Sequence, residues 1–280
     1  MVGALLLIVA AIDPPRLRAE TPVAYSEEDL KVSYIYSAVM GSGTYVVDGR
    51  RITMFRLPFT WTQRKATEDG HGWKWLLPVV VGYDDLGNVD SDWIEALRPE
   101  QLVVMSFLPG IEYVRPVGDR WQIKPFLQTG AGRDFNTDET ILMTQLGLRT
   151  LALYKPAEGW ELRWGNGLRW AGERQINAGI DLGFGVFETG LDLRRNTPFP
   201  VFGSGADWGA YYVFQRFMPR WTAAKAPDLN QKATSLHEFG LSIGLKQPRK
   251  IMGIPLQRFR LGYKWGDQLS GWSIGTDFPF

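Results

Sequence analysis

Two neighbouring residues have side chains that could carry out covalent chemistry. Ser235 and His237 are two positions apart, so in an extended strand both side chains point to the same face. A serine beside a histidine base can act as a nucleophile on a carbonyl carbon. Such a site also needs a group that orients the histidine and an oxyanion hole. The sequence offers no obvious third member, so a histidine without a catalytic role is the better interpretation.

Two acidic segments could bind a cation. His71 follows Glu68 and Asp69, and residues 84–92 hold four aspartates. The first segment is typical of a solvated turn, and the second lacks the spacing and the final glutamate of an EF-hand. Weak divalent-cation binding by residues 84–92 remains an alternative. The glycine-rich stretches lack the Gly-Lys-Ser/Thr of a phosphate loop. The sequence therefore predicts no metal site and no cofactor.

Composition excludes several classes of function. The 280 residues include no cysteine, two histidines and a formal net charge of +1. Without cysteine there is no disulfide, thiol nucleophile or Cys-ligated metal, and two histidines nearly exclude a multi-histidine metal site. The balanced charge argues against a nucleic-acid partner. The 12 Trp, 15 Phe, 10 Tyr and 31 Gly favour closely packed β-strands.

The N-terminus indicates export. Residues 2–12 are apolar but too few to span a bilayer as a helix, and they suit the apolar part of a secretory signal peptide. Cleavage would follow Ala19 or Ala11, although no Lys or Arg precedes the apolar run. A buried strand or helix is the alternative. We expect a signal peptide over 1–19, a short periplasmic lead or plug over 20–31, and one β domain over 32–280.

Alternation of apolar and polar residues is the dominant pattern and indicates strands. One face carries large apolar side chains, and the other carries glycine and charge. A soluble β protein also alternates, but these runs reach about ten residues or more, against about five or six in soluble proteins. Glycine beside charge suits a narrow lumen. The fold class predicted is all-β: a closed antiparallel transmembrane β-barrel. Its lipid-facing set includes Trp160, Leu162, Trp164, Leu168, Trp170, Ile176, Ala178, Ile180, Leu182, Phe184 and Val186.

An even number of strands places both chain ends on one side, as in single-chain bacterial barrels. Short turns near 117–119 and 156–159 would face the periplasm, and the long connections 84–101 and 219–233 would face outward. The first and ninth strands alternate poorly, and the eighth changes phase near Glu188, which indicates a bulge or a split. Twelve strands are predicted over 32–48, 52–63, 72–83, 102–115, 120–131, 140–154, 159–171, 176–195, 206–218, 234–247, 255–266 and 270–280.

The charged residues of the second face are predicted to line the lumen. If the lumen conducts, its excess of positive charge favours anions; the equal alternative is a packed ion-pair network that fills a narrow barrel. The predicted set is Lys124, Arg149, Glu161, Arg163, Arg169, Asp181, Glu238, Lys246, Arg258, Arg260 and Lys264.

The C-terminal residues carry a signature. Phe280, Phe278, Thr276, Ile274 and Trp272 alternate, and this pattern resembles the signal that the barrel-assembly machinery reads in outer-membrane proteins. Residues 123–132 resemble strands of autotransporter translocator barrels. With twelve strands and too few preceding residues for a passenger domain, the chain resembles the solitary autotransporter-like outer-membrane barrels. That resemblance implies a proteobacterial outer-membrane barrel with no established activity.

Three functions are compatible with this sequence. The first is a porin-like small-solute or anion channel, or a structural barrel of unassigned substrate. The second is a lipid-side hydrolase that uses Ser235 and His237, as outer-membrane phospholipases use a Ser–His pair, although their hallmark segments are absent. The third is a translocator remnant. Expected partners are outer-membrane lipids, lipopolysaccharide and the assembly machinery; the bacterial outer membrane is the expected location, and the sequence does not give the oligomeric state.

Overall fold

The computed structural model describes residues 39–47, 50–67, 70–85, 102–177, 179–198, 200, 203–218, 221–222, 235–251, 254–266 and 269–280. Within them, helical structure is limited to Val39 and Met40, and no helix is long and apolar enough to cross a membrane. The strands are β1 (Ser42–Val47), β2 (Arg50–Arg64), β3 (Gly72–Asp85), β4 (Leu102–Phe107), β5 (Gly110–Val117), β6 (Trp121–Asp134), β7 (Glu139–Tyr154), β8 (Trp160–Gln175), β9 (Ile180–Asn196), β10 (Ala206–Phe217), β11 (Trp221–Thr222), β12 (Ser235–Ile251), β13 (Ile254–Gly266) and β14 (Leu269–Gly275).

These strands form one closed antiparallel sheet. β1 pairs with β2 on one side and with β14 on the other, which closes the ring. β4 and β5 share one position between β3 and β6, and β11 continues the position of β10 beside β9. The wall therefore has twelve strand positions, as the sequence predicts. The wall begins at Ser42 and ends at Gly275, and both residues lie at the same opening of the barrel, which we call the inner end. Turn 118–120 also lies at the inner end. Turn 135–138 lies at the opposite opening, the outer end.

The outer surface of the wall is apolar along its length. In β8, Leu168 is 53% exposed whereas its neighbour Arg169 is 7% exposed, so the apolar side chain faces out and the charged one faces in. The same outward exposure of large apolar side chains recurs around the ring. Since large exposed apolar surfaces are rare on soluble monomers, this surface is the one that the sequence predicts to face lipid. Its outward side chains include Leu57, Trp75, Leu127, Leu146, Trp164, Leu191, Phe239 and Leu241.

β9 has the opposite phase to the one predicted. Leu182 and Phe184 are buried in the barrel, and Asp181 points outward near the outer end, where it pairs with Arg174. The prediction that Asp181 lines the lumen is therefore wrong. The physical reason is that the lumen is apolar at this height, so the larger apolar side chains of β9 face inward. Outward-facing Gly183 lies under the indole of Trp170.

The break between β4 and β5 is a feature that the sequence did not reveal. β3 contributes Pro78 at this height, and its carbonyl accepts a hydrogen bond from the backbone N–H of Leu108 at 3.2 Å. On the other side, the N–H of Thr129 donates to the carbonyl of Pro109 at 2.9 Å. β4 and β5 keep one register along β3 and along β6, so Leu108 retains the inward phase of Val104 and Ser106 and is buried in the core. Gly130 lies against the residues that join β4 to β5, and a β-carbon there would overlap the carbonyl oxygen of Phe107.

We expect Gly130→Ala to lower the free energy of unfolding by about 1–3 kcal/mol, the cost of overpacking a closely packed site. Urea titration of the barrel folded in lipid vesicles measures this change. Thr129→Ala is the matched control, because Thr129 points outward and its loss should cost less than about 0.5 kcal/mol. Equal losses in the two variants would contradict close packing of Gly130 against Phe107 and Leu108.

Both terminal strands are shorter than the predicted 32–48 and 270–280. β1 begins only at Ser42, whose hydroxyl accepts from the N–H of Arg56 at 2.8 Å and donates to its carbonyl at 3.1 Å, replacing the next backbone pair. Gly41 precedes it with a φ of +83°, which ends the extended run. At the other end, Asp277 accepts from the N–H of Phe278 at 2.8 Å and turns the chain. Residues 1–38 and most of the predicted outer loops lie outside the described residues.

Candidate functional site

The outer half of the barrel interior is an apolar core. Phe184 and Phe217 contact each other with ring centroids 6.0 Å apart, and Tyr45 and Ile141 are fully buried. Close packing of this kind leaves no room for water between side chains. The described part of the lumen is therefore sealed at this height. The core comprises Val39, Met40, Tyr45, Met54, Leu108, Ile141, Met143, Ala171, Phe184, Val186, Phe217, Leu236 and Leu269.

Two buried carboxylates, Glu112 and Glu188, bind cations in a charged layer beneath this core. Glu112 is 1% exposed and pairs with Lys74 at 2.7 Å and Arg149 at 3.0 Å. Lys74 and Glu112 are also register partners across β3 and β5. Glu188 pairs with Arg169 and accepts from the side-chain amide of Gln215 at 2.6 Å. A buried charge is tolerated only when it is paired and hydrogen-bonded, and both carboxylates meet that condition.

Glu238 is a third buried carboxylate in this charged layer. Its carboxylate lies 3.3 Å from the guanidinium of Arg260 and 3.5 Å from the ammonium of Lys264. The hydroxyls of Tyr211 and Ser273 donate to it at 2.8 and 2.6 Å. Glu238 and Lys264 are register partners on β12 and β13. Four donors from three strands therefore hold one carboxylate, and the arrangement links the four neighbouring strands β10, β12, β13 and β14.

The inner mouth holds a cavity of about 360 Å³ with a mixed charged lining. Arg163 pairs with Glu161 at 2.6 Å, and Arg194 pairs with Asp192 at 2.6 Å and with Asp277 at 3.5 Å. The lining also contains Asp207, Lys246 and Arg258, with Arg258 paired to Asp207. Three cations of the lining, Arg163, Arg194 and Arg258, therefore already have a carboxylate partner.

Ten of the eleven predicted lumen charges lie on inward positions of the wall; Asp181 is the exception described above. Lys124 donates to the backbone carbonyl of Phe280 at 3.4 Å, and Lys246 lies at the inner mouth. The structure brings eight of these ten inward residues, all but Lys124 and Lys246, into ion pairs. The ten are Lys124, Arg149, Glu161, Arg163, Arg169, Glu238, Lys246, Arg258, Arg260 and Lys264.

Sequence reasoning missed several interior charges. Glu188, Asp192 and Arg194 follow from the reversed phase of β9, and the expected bulge near Glu188 is wrong, because β9 keeps one register along β8. Their even spacing, alternating with Phe187, Leu191 and Leu193, is a signal that could have found them. Lys74 and Glu112 lie in segments whose inward face looked apolar or irregular, so only the strand pairing reveals them.

Ser235 and His237 both point outward near the outer end of β12. His237 shares a hydrogen bond of 2.7 Å between its Nδ1 and the hydroxyl of Tyr212, and its ring stacks on Trp265 with centroids 5.5 Å apart. No hydrogen bond joins Ser235 to His237 within the described residues. The imidazole is thus part of an outward aromatic cluster, and catalysis by this pair stays a prediction.

The predicted cation segments give no built site. The ring of His71 lies 5.3 Å from the ring of Tyr113, and its Nε2 is 3.4 Å from Nη1 of Arg64. Residues 86–92 lie outside the described residues. In the part of the chain that the structure describes, no group of three or more acidic or histidine side chains is placed to hold a metal ion.

The residues of the C-terminal signature divide into two groups. Trp272 and Ile274 lie on outward positions of β14. Phe278 and Phe280 are instead buried inside the barrel with Leu151, Tyr211 and Val213, and Thr276 lies between the groups. The structure therefore interrupts the predicted alternation after Gly275. Recognition of these residues by the assembly machinery stays a prediction.

The fold is similar to that of a known autotransporter β domain. The crystal structure of the β domain of the Bordetella autotransporter BrkA matches with a TM-score of 0.53 and 11% sequence identity, and the match covers 83% of this chain and 92% of that chain. No known family model and no curated protein matches the chain. At this identity the likeness is one of fold. It confirms the closed all-β barrel, with a fold like that of an autotransporter β domain.

Proposed function

We propose that this chain is a closed structural barrel of the bacterial outer membrane, a translocator-type scaffold that does not conduct solutes. The apolar core in the outer half of the lumen carries the proposal. Water and ions cross a barrel only where polar surface lines a continuous path, and Tyr45, Ile141 and Phe184 occupy that space. Similarity to the BrkA β domain supports the membrane setting.

The ion pairs beneath the core support the same function. Glu112, Glu188 and Glu238 each hold at least one cation from a neighbouring strand, so these charges of the lumen neutralise one another. A conducting lumen would leave cations free to attract anions. The interior charge is therefore better suited to holding strands together than to selecting a solute.

We expect the purified barrel to give no resolved current steps in a planar lipid bilayer at any voltage it withstands. A porin reconstituted in parallel is the control for a working bilayer. The channel hypothesis makes the opposite prediction: steps with anion preference that reverses in the Arg258→Glu/Arg260→Glu variant. Such reversible steps would overturn the scaffold and establish a pore.

The proposal includes a route to the membrane. Residues 1–19 would direct export, lipopolysaccharide and phospholipid would contact the apolar band, and the assembly machinery would read Trp272, Ile274, Thr276, Phe278 and Phe280. The tryptophans near the inner end of the wall, such as Trp73 and Trp164, suit the interface where aromatic girdles lie. Fractionation of cell envelopes tests the location directly.

A further inference from the structure

The outer surface carries a row of three large side chains at the inner end of β8, β9 and β10. Arg195 is the register partner of Trp160 on β8 and of Trp208 on β10. Trp160 is the first residue of β8 and Arg195 is the last but one of β9, so the row lies at the inner rim of the wall. Arg195 is exposed, and Trp208 is 45% exposed. We call these three residues the rim row.

Arg195 is stacked on one of the two tryptophans. Its Cζ lies 5.1 Å from the ring centroid of Trp160, and the rings of Trp160 and Trp208 meet edge to face with centroids 6.5 Å apart. A guanidinium at such a distance is attracted to the face of an indole ring. Stacking leaves the N–H donors at the edge of the guanidinium available, and those donors match the oxygens of a phosphate group. Arg195 therefore keeps the donors that an anion needs.

The chain itself supplies little negative charge near Arg195. Within the described residues, the side chain of Arg195 makes no ion pair or hydrogen bond, and Glu158 in the turn before β8 makes no ion pair. The connection from β9 to β10, residues 197–205, contains no Asp or Glu. At the outer end, by contrast, the outward arginine Arg174 has a carboxylate partner, Asp181, at 3.6 Å. The charge of Arg195 is thus available to an anion outside the chain.

Apolar surface begins directly beside the rim row. Leu162 and Leu193 are the next outward register partners on β8 and β9. Leu193 and Leu191 are 40% and 48% exposed and continue the apolar band toward the middle of the wall. Aromatic side chains at the rim of a membrane barrel lie at the level of the lipid headgroups. A cation at the rim with leucines beside it therefore matches the order of phosphate and hydrocarbon chains along one phospholipid molecule.

We propose that the rim row binds the phosphate of a phospholipid with a net negative headgroup, in the leaflet at the inner end of the barrel. Arg195 donates to the phosphate oxygens, Trp160 fixes the plane of the guanidinium, and Leu191 and Leu193 contact the acyl chains. A choline headgroup is disfavoured because its ammonium would lie beside the arginine. The inference rests on the proposed membrane location and goes beyond it, since it selects one class of lipid at one place on the rim.

Native mass spectrometry of the folded barrel, with equal amounts of phosphatidylglycerol and phosphatidylcholine, tests the proposal. We expect the barrel to retain phosphatidylglycerol about fivefold more than phosphatidylcholine, the order of effect of one cation at an anionic lipid surface. Arg195→Gln should bring the two lipids to nearly equal retention. Lys155→Gln is the matched control, because Lys155 is an exposed cation in the turn before β8 but lies outside the rim row. Its loss should leave the preference unchanged.

Two further arms separate the geometry from the charge, and the lipid from a free anion. Arg195→Lys keeps the charge but lacks the planar, forked donors, so we expect it to lose most of the preference. Excess inorganic phosphate should not displace phosphatidylglycerol, because it has no chains to contact Leu191 and Leu193. Full preference in Arg195→Lys, or displacement of the lipid by phosphate, would overturn the site.

The remaining outcomes also decide the matter. Heat-modifiable migration on gels verifies that each variant is folded. A preference that survives in Arg195→Gln, or that falls as far in Lys155→Gln, would show that the rim row does not select the lipid. Planar-bilayer currents test the scaffold function separately, so a conducting barrel that still prefers phosphatidylglycerol would overturn the scaffold and keep the lipid site.

Discussion

Replacement of Glu238 by alanine should lower the free energy of unfolding by about 3–5 kcal/mol, the cost of leaving buried charges without their partner. The carboxylate is 5% exposed and holds Arg260 and Lys264. Without it, two cations remain in a lumen closed above by apolar side chains, and the hydroxyls of Tyr211 and Ser273 lose their acceptor. Urea-induced unfolding from lipid vesicles measures the loss.

Glu161→Ala is the matched control for this prediction. Glu161 also pairs with an arginine, Arg163, at 2.6 Å, but it is about one third exposed at the inner mouth. Exposed pairs contribute about 0–1 kcal/mol, so removal of Glu161 should change the free energy of unfolding very little. Similar losses in both variants would mean that Glu238 is as hydrated as Glu161, and the sealed lumen would then be wrong.

Replacement of Leu168 by arginine should destabilise the barrel by about 2–4 kcal/mol, as a charge near the bilayer midplane does on the lipid face of such proteins. Leu168 lies near the middle of β8 and is 53% exposed on the outer surface. In a water-soluble protein the same change would cost little, because an exposed arginine is well solvated. The free energy of folding into vesicles distinguishes these outcomes.

Ile176→Arg provides the comparison for Leu168→Arg. Ile176 has nearly the same exposure, 50%, but it lies just beyond the outer end of β8. The cost of arginine falls to about 0–1 kcal/mol near the interface. Equal costs at the two positions would show that hydrocarbon does not surround the middle of β8.

The wall could be predicted from the sequence because the same requirement, large apolar side chains on the outer face, applies to every strand. In β8 and β12, large apolar residues such as Leu168 and Leu241 had to face out, so alternation gave both strand and face. The twelve strand positions and most strand bounds agree with the structure within a few residues. Closure between β1 and β14 followed from the even number of strands rather than from any local pattern.

The interior was harder to predict because the polarity of the side chains that face the lumen changes along the barrel axis. Near the outer end it is apolar, so Phe184 looked lipid-facing although it is buried, and Asp181 looked interior although it faces out. Near the middle it is charged, but which carboxylate meets which cation depends on strand register, as for Lys74 and Glu112. The position of Phe280 inside the barrel depends on a recess that two distant glycines leave for its ring.

Closure of the ring also determines the order in which the strand pairs form during folding. β1 and β14 meet over the pairs Ser42–Ile274 to Val47–Leu269, which join the extremes of the described chain, whereas β8 and β9 are neighbours in sequence and pair along their whole length. Contacts between distant residues form slowly, since the intervening chain must first be ordered. The hairpins therefore assemble early, and the narrow junction of the first and last strands forms last and separates first.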